Sequence, residues 1–213
     1  MSKRIQLQNK FGDALFERIK RNGWQKDLGN PEIYGFKKKI DKFTWGVSFN
    51  FSGKNNYSIY STQYISFDDY PVLLKEYLGD AIDQINPLAV GIVARNIDLS
   101  NLKISNSSDL IQESSCFYEK IKEQEELFFK QNSDENRVLE KNMSPFHWKW
   151  PSQPYIQFVL FMVGYGLKNG DFSKISHANE QVKKISGKFQ ALPGELECVE
   201  KIFNKLVENG LLR

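Results

Sequence analysis

Residues 43–51 read FTWGVSFNF, and this stretch decides how the N-terminal half must fold. Phe43, Trp45, Val47, Phe49 and Phe51 alternate with Thr44, Gly46, Ser48 and Asn50. Five bulky side chains at a period of two put one face of a β-strand into a core. Upstream, Tyr34, Phe36 and Ile40 share a face with Lys37 and Lys39 opposite, and Asp41-Lys42 can make the tight connection. Downstream, residues 53–56 (GKNN) form a turn, followed by a second β-rich run at Tyr57–Ser66. The expectation is a three-stranded antiparallel meander.

The flanking chain reads mainly as helix. Phe11, Leu15 and Ile19 recur at helical spacing, Asn22-Gly23 supplies a stop, and Trp24 is expected to fold back onto that helix. Asp68-Asp69 can cap a helix with Pro71 in its first turn and Leu74, Tyr77, Leu78, Ala81, Ile82 and Ile85 on its buried face. Leu88–Ile97 is a fourth strand or a short buried helix, two readings that periodicity leaves open, and Asn101–Asp109 reads as loop. Leu110–Lys130 carries Phe117, Ile121 and Phe128 on one helical stripe, and residues 131–143 read as polar loop with at most one helical turn. A helix beginning near Ser152-Gln-Pro-Tyr and running to about Leu167 is apolar nearly all round, the mark of a central buried helix. Lys168-Asn-Gly-Asp171 breaks it. Two amphipathic helices follow, lined by Ile175, Ala178, Val182 and Ile185, and by Leu196, Val199, Phe203, Leu206 and Val207. The fold class is α+β: an N-terminal helix, an antiparallel meander of three to four strands, then a mostly helical C-terminal half. Residues 1–105 form the sheet-containing part and 106–213 the helical part, packed as one globular unit.

Composition narrows the class. Apolar residues make up 40 % of the 213 and aromatics 14 %, enough for a substantial core and far from a disordered chain. The net charge of +3 is unevenly spread: residues 1–45 hold 11 basic and five acidic side chains, so the sheet end is basic and the remainder mildly acidic. Two isolated cysteines, Cys116 and Cys198, suit a reducing compartment and are expected as core thiols. The basic N-terminus lacks the apolar segment of a signal peptide, and the longest apolar run is about half a membrane span. A cytoplasmic protein without membrane contact is expected.

Catalytic signatures are missing. His147 and His177 lie 30 residues apart with no metal-ligand partner at helical spacing, and there is no Cys-x-x-Cys, so no metal site is expected. Phosphate-binding glycine loops and the nucleophile elbow are absent. The Glu-x-Lys pair of a metal-dependent nuclease occurs nowhere. No catalytic residue and no cofactor are assigned. Two stretches remain as candidates for binding. Lys37, Lys38, Lys39 and Lys42 beside Phe36, Phe43 and Trp45 could grip a phosphate backbone while rings stack on bases; alternatively the lysines cover a solvated face or protect an edge. SPFHWKWPSQPY, residues 144–155, could place His147, Trp148 and Trp150 around a pocket, or serve to stiffen the entry to the core helix. His177 reads as a surface or boundary histidine.

The opening helix, GFKKKIDKFTWGVSFNF and the tyrosine-rich strand after it (about residues 8–66) resemble small bacterial α+β proteins among the immunity proteins of polymorphic toxin systems. The resemblance rests on structural motifs and implies no catalytic residue. It implies a protein that works by binding, so the expected function is a non-enzymatic protein-binding protein, an immunity or accessory factor. Its expected partner is another protein. The alternative is nucleic-acid binding, or an atypical nuclease, on the basic sheet face.

Overall fold

The computed structural model describes residues 2–27, 32–54, 56–82, 92–97, 99, 102–104, 106, 108–143, 155–185 and 194–212. Its helices are α1 (Lys3–Ile19), α2 (Asp69–Leu78), α3 (Asp109–Gln124), α4 (Lys130–Asn132), α5 (Glu135–Met143), α6 (Tyr155–Asn169), α7 (Phe172–Ile185) and α8 (Glu195–Glu208). The strands are β1 (Gln25–Asp27), β2 (Tyr34–Ile40), β3 (Phe43–Ser52), β4 (Tyr57–Phe67), β5 (Ile92–Ile97) and β6 (Lys103–Ile104). The class is α+β, as the alternation at residues 43–51 requires.

The sheet runs β1-β2-β3-β4-β5, with β6 also paired to β4. Antiparallel register sets Lys37 opposite Gly46 and Lys39 opposite Thr44 on β3, and Gly35 opposite Asp27 on β1. The tight β2–β3 connection uses Asp41 at φ 51, a conformation that aspartate tolerates better than most residues. Short additional strands extend the meander at both ends. β1 and β6 span three and two residues, too few for a period-two signal to register in the sequence.

Two compact units interleave along the chain: Met1–Ile65 with Ala94–Asp134, and Ser66–Val93 with Glu135–Arg213.

In the first unit, α1 and α3 bring Phe11 and Phe117 onto the aromatic face of the sheet. The Phe11 ring lies 5.3 Å from Phe49 and 5.5 Å from Phe51, both tilted edge-on, and 6.1 Å from Phe117. Such offset and edge-to-face contacts suit the ring quadrupole. Trp45 is sandwiched between Trp24, 4.8 Å away, and Phe129, 5.4 Å away. Trp24 is buried against Trp45 just after Gly23, which takes φ 83. Buried Gln8 ties α1 to the chain around it: its Oε1 accepts from the Phe51 N–H at 2.9 Å and its Nε2 donates to the Glu32 carbonyl at 3.0 Å. That is how a polar side chain survives inside an aromatic core.

In the second unit, α6 is the central helix, with every residue from Phe158 to Gly164 buried. Phe161 lies 5.7 Å from both Phe67 and Tyr70. Gly164 matters sterically, because a Cβ there would meet the Tyr70 ring. Asn209 at the end of α8 donates to the Tyr77 carbonyl at 2.6 Å, fastening α8 to α2.

Several expectations are corrected. Residues 131–143 are mostly helical, not loop, broken only at Ser133 and Asp134: α5 buries Val138 and Leu139, two apolar side chains too sparse among polar ones to read as a stripe. Helix α2 ends at Leu78 instead of reaching Ile85, because Gly79 takes φ 51 and the chain tightens into a 3₁₀ turn over Gly79–Ile82. Asp68 occupies the N-cap position without a side-chain capping bond. Residues 101–109 include β6. Val207 is 52 % exposed, while Ile202 takes the core position expected of it. Cys116 is exposed and Cys198 half-buried, since the buried stripes of α3 and α8 run through their neighbours Phe117 and Val199. The expected strand start at Leu88 lies outside the described residues, and its C-terminal part is β5. Among the described residues no helix is long and apolar enough to cross a membrane.

Candidate functional site

Strand periodicity separates the four lysines. Lys37 and Lys39 stand exposed on the outward face of the sheet, Lys38 points to the helix side, and Lys42 sits exposed in the β2–β3 turn. Lys38 Nζ lies 3.8 Å from Glu125, and Lys37 Nζ lies 3.7 Å from Asp27. Trp45 and Phe36 are buried in the core, so neither ring is available to stack on a base. His147, Trp148 and Trp150 lie outside the described residues.

The outward face is organised around Tyr64. Its ring lies across Gly46 on β3, where any Cβ would overlap it, and its hydroxyl donates to Asp27 Oδ2 on β1 at 3.2 Å. Burial, with Asp27 beside it, pushes the Tyr64 phenol well above its ordinary value, so it stays protonated. Ser48 and Ser61 stitch β3 to β4, the Ser61 hydroxyl donating to the Ser48 carbonyl at 2.9 Å. Around Tyr64 the same face carries Thr44, Ser48, Asn50 and Thr62, all half-exposed, and Ser58 and Tyr60, both exposed. Tyr60 is 63 % exposed, four residues along β4 from Tyr64. Sequence reasoning missed Tyr60 as a surface group. The signal was there, since even-numbered β4 positions oppose the buried Tyr57, Ile59 and Ile65.

On the helix side, α3 and α4 are joined by a π-helical turn, Glu125–Phe129. The wider turn lets Phe128 enter the core while Phe129 stacks on Trp45. Gln63 Nε2, fully buried on β4, donates to Gln124 Oε1 at 2.7 Å. Gln63 Oε1 and Trp45 Nε1 are buried with no hydrogen-bond partner among the described residues.

Two closed polar clusters complete the inventory. In the first unit, Asp13 Oδ1 accepts from Lys26 Nζ at 2.6 Å and from the Tyr34 hydroxyl at 2.7 Å. Partial burial opposes the Asp13 charge, but these two donors bring its carboxyl below the usual range. In the second unit, the Tyr70 hydroxyl donates to Glu135 Oε1, and Lys168 Nζ bridges Glu135 Oε2 at 3.0 Å and Asp69 Oδ2 at 3.3 Å. Burial and the Glu135 carboxylate push the Tyr70 phenol far above its ordinary value. Burial works against the Lys168 charge, yet Glu135 and Asp69 outweigh it and raise its pKa. A phenol and an ammonium shifted away from neutrality are poorly placed to exchange protons there. Their geometry instead joins α2, α5 and α6. Sequence gave no signal for this cluster, which joins the adjacent Asp69 and Tyr70 to Glu135 and Lys168, 33 to 99 positions apart. His177 on α7 is half-buried. Burial lowers its pKa, Lys174 and Lys184 add to that, and Glu180 opposes them. Among the described residues no group of three or more His, Cys, Asp or Glu could hold a metal ion.

No family model, curated protein or solved structure matches this chain.

Proposed function

We propose that this protein acts by binding another protein, as an immunity or accessory factor of a bacterial toxin system. The observation that carries the reading is the outward face of the sheet in the first unit. It presents an exposed tyrosine among hydroxyls, an amide and two lysines, on strands whose opposite side is locked into an aromatic core. Tyrosine supplies large contact area at low entropic cost and is enriched where binding energy concentrates. The resemblance of residues 8–66 to immunity proteins supports the same reading. The closed Asp13–Lys26–Tyr34 and Asp69–Tyr70–Glu135–Lys168 clusters add to it, because their ionisable groups are engaged with one another. Burial of Trp45 and Phe36 leaves half-buried Phe43 as the one remaining ring of the three the nucleic-acid reading named.

Co-expression with the product of the neighbouring gene tests the proposal. A stable complex on size-exclusion chromatography, together with rescue of growth if that product is toxic, is the expected result. Failure to bind any neighbouring gene product, or turnover of a nucleic acid by the purified chain, would overturn it.

A further inference from the structure

We infer that the outward sheet face docks an acidic segment of the partner, an inference that rests on the protein-binding reading above. The argument is one of charge and shape. Among the described residues of this face, the exposed charges are Lys37 and Lys39, both positive. The single carboxylate there, Asp27, is half-buried and already accepts from the Tyr64 hydroxyl while lying 3.7 Å from Lys37. The face therefore exposes more positive than negative charge, with Asp27 set back beside Tyr64 and Lys37. The first 45 residues as a whole carry an excess of basic side chains. A complementary surface must be acidic, because like charges set opposite these lysines would cost binding energy.

The layout sets the dimensions of the occupant. Lys37 sits opposite Gly46 on β3, and Tyr60 lies one strand further over and four residues along. Strand spacing of about 4.8 Å and a rise of about 3.4 Å per residue place these two anchors roughly 16 Å apart. That span fits about three turns of one helix, or a short extended segment. Carboxylates at one end would meet Lys37 and Lys39, and an apolar side chain at the other would pack on the Tyr60 ring. Ser48 and Thr62 place hydroxyls between them. A single-stranded nucleic acid would want several stacking rings along its track, and Tyr60 is the one aromatic side chain exposed on this face among the described residues.

A displayed library of random 16-residue peptides, selected on the full chain at physiological salt, reads out the chemistry directly. The expected winners are acidic peptides with one apolar or aromatic anchor. Their affinity should fall about tenfold or more in Y60A and in K37Q/K39Q. K37E/K39E should weaken them further, and circular dichroism checks that each variant is folded. An unlabelled single-stranded oligonucleotide serves as competitor. Winners without acidic bias, winners indifferent to these substitutions, or no winners at all would overturn the inference. So would displacement by the oligonucleotide with tighter binding. If the neighbouring gene product still binds Y60A and K37Q/K39Q at parental strength, the docking surface is wrong while the protein-binding reading stands.

Discussion

Gly46→Ala tests the construction of the outward face most directly. A methyl at 46 would occupy the space of the Tyr64 ring, so the ring must swing away from the sheet. Tyr64 is 8 % exposed, and a tyrosine buries about 200 Å². Sending half of that area into water costs about 2.5 kcal/mol at roughly 25 cal/mol per Å². Losing the hydroxyl bond to Asp27 adds about 1 kcal/mol. Replacing glycine by alanine in a strand returns about 0.5–1 kcal/mol of backbone entropy. The net expectation is a loss of about 3 kcal/mol, read by urea unfolding followed through circular dichroism and tryptophan fluorescence. Tyr64→Ala supplies the control, because it removes the ring that the methyl displaces. In that background Gly46→Ala should stabilise by about 0.5–1 kcal/mol instead of costing stability, a coupling that a double-mutant cycle measures. The steric account would be refuted by a G46A protein as stable as its parent, or by an equal penalty with and without Tyr64.

The Tyr70–Glu135–Lys168 cluster makes a pH-dependent prediction. Both Tyr70 and Lys168 are raised above their ordinary values of 10.0 and 10.5, so their contribution is fully present below pH 10 and is lost as pH rises beyond it. Tyr70→Phe should cost about 1.5–3 kcal/mol at neutral pH and flatten the alkaline limb of an unfolding-versus-pH curve; an unchanged limb would rule the cluster out as its source. Phe117→Ala removes a fully buried ring from contact with Phe11 and Phe49 and should cost about 3–5 kcal/mol by urea unfolding. A loss below about 1 kcal/mol would mean that α3 does not close the sheet. Cys116 should react with an aromatic disulfide reagent in the native protein and Cys198 more slowly, and a Cys116 that reacts only in denaturant would contradict its exposed position.

The candidate surface was half legible. Lys37 and Lys39 were placed opposite the aromatic face by period two, and the structure puts them there. Lys38 belongs to the other side, because adjacent strand residues point apart, so a run of lysines in sequence is not a patch in space. Tyr60 passed unnoticed, because a tyrosine in a β-rich run reads equally as core or surface until the alternation is traced through Tyr57, Ile59 and Ile65.

By itself, the sequence determined the helix–meander beginning, the buried α6 and the α+β class. Each of these is a local hydrophobic pattern repeated often enough to specify its own geometry. Tertiary structure decided the rest. Helix α5 exists because Val138 and Leu139 find a core, although their segment looks polar. Helix α2 stops at Gly79 because that residue takes a positive φ of 51 that its spacing does not announce. The Asp69–Tyr70–Glu135–Lys168 cluster, and the passage of Tyr64 over Gly46 to Asp27, join residues far apart in the chain. No periodicity encodes such meetings, since they depend on how separate elements pack and on where a missing Cβ leaves room.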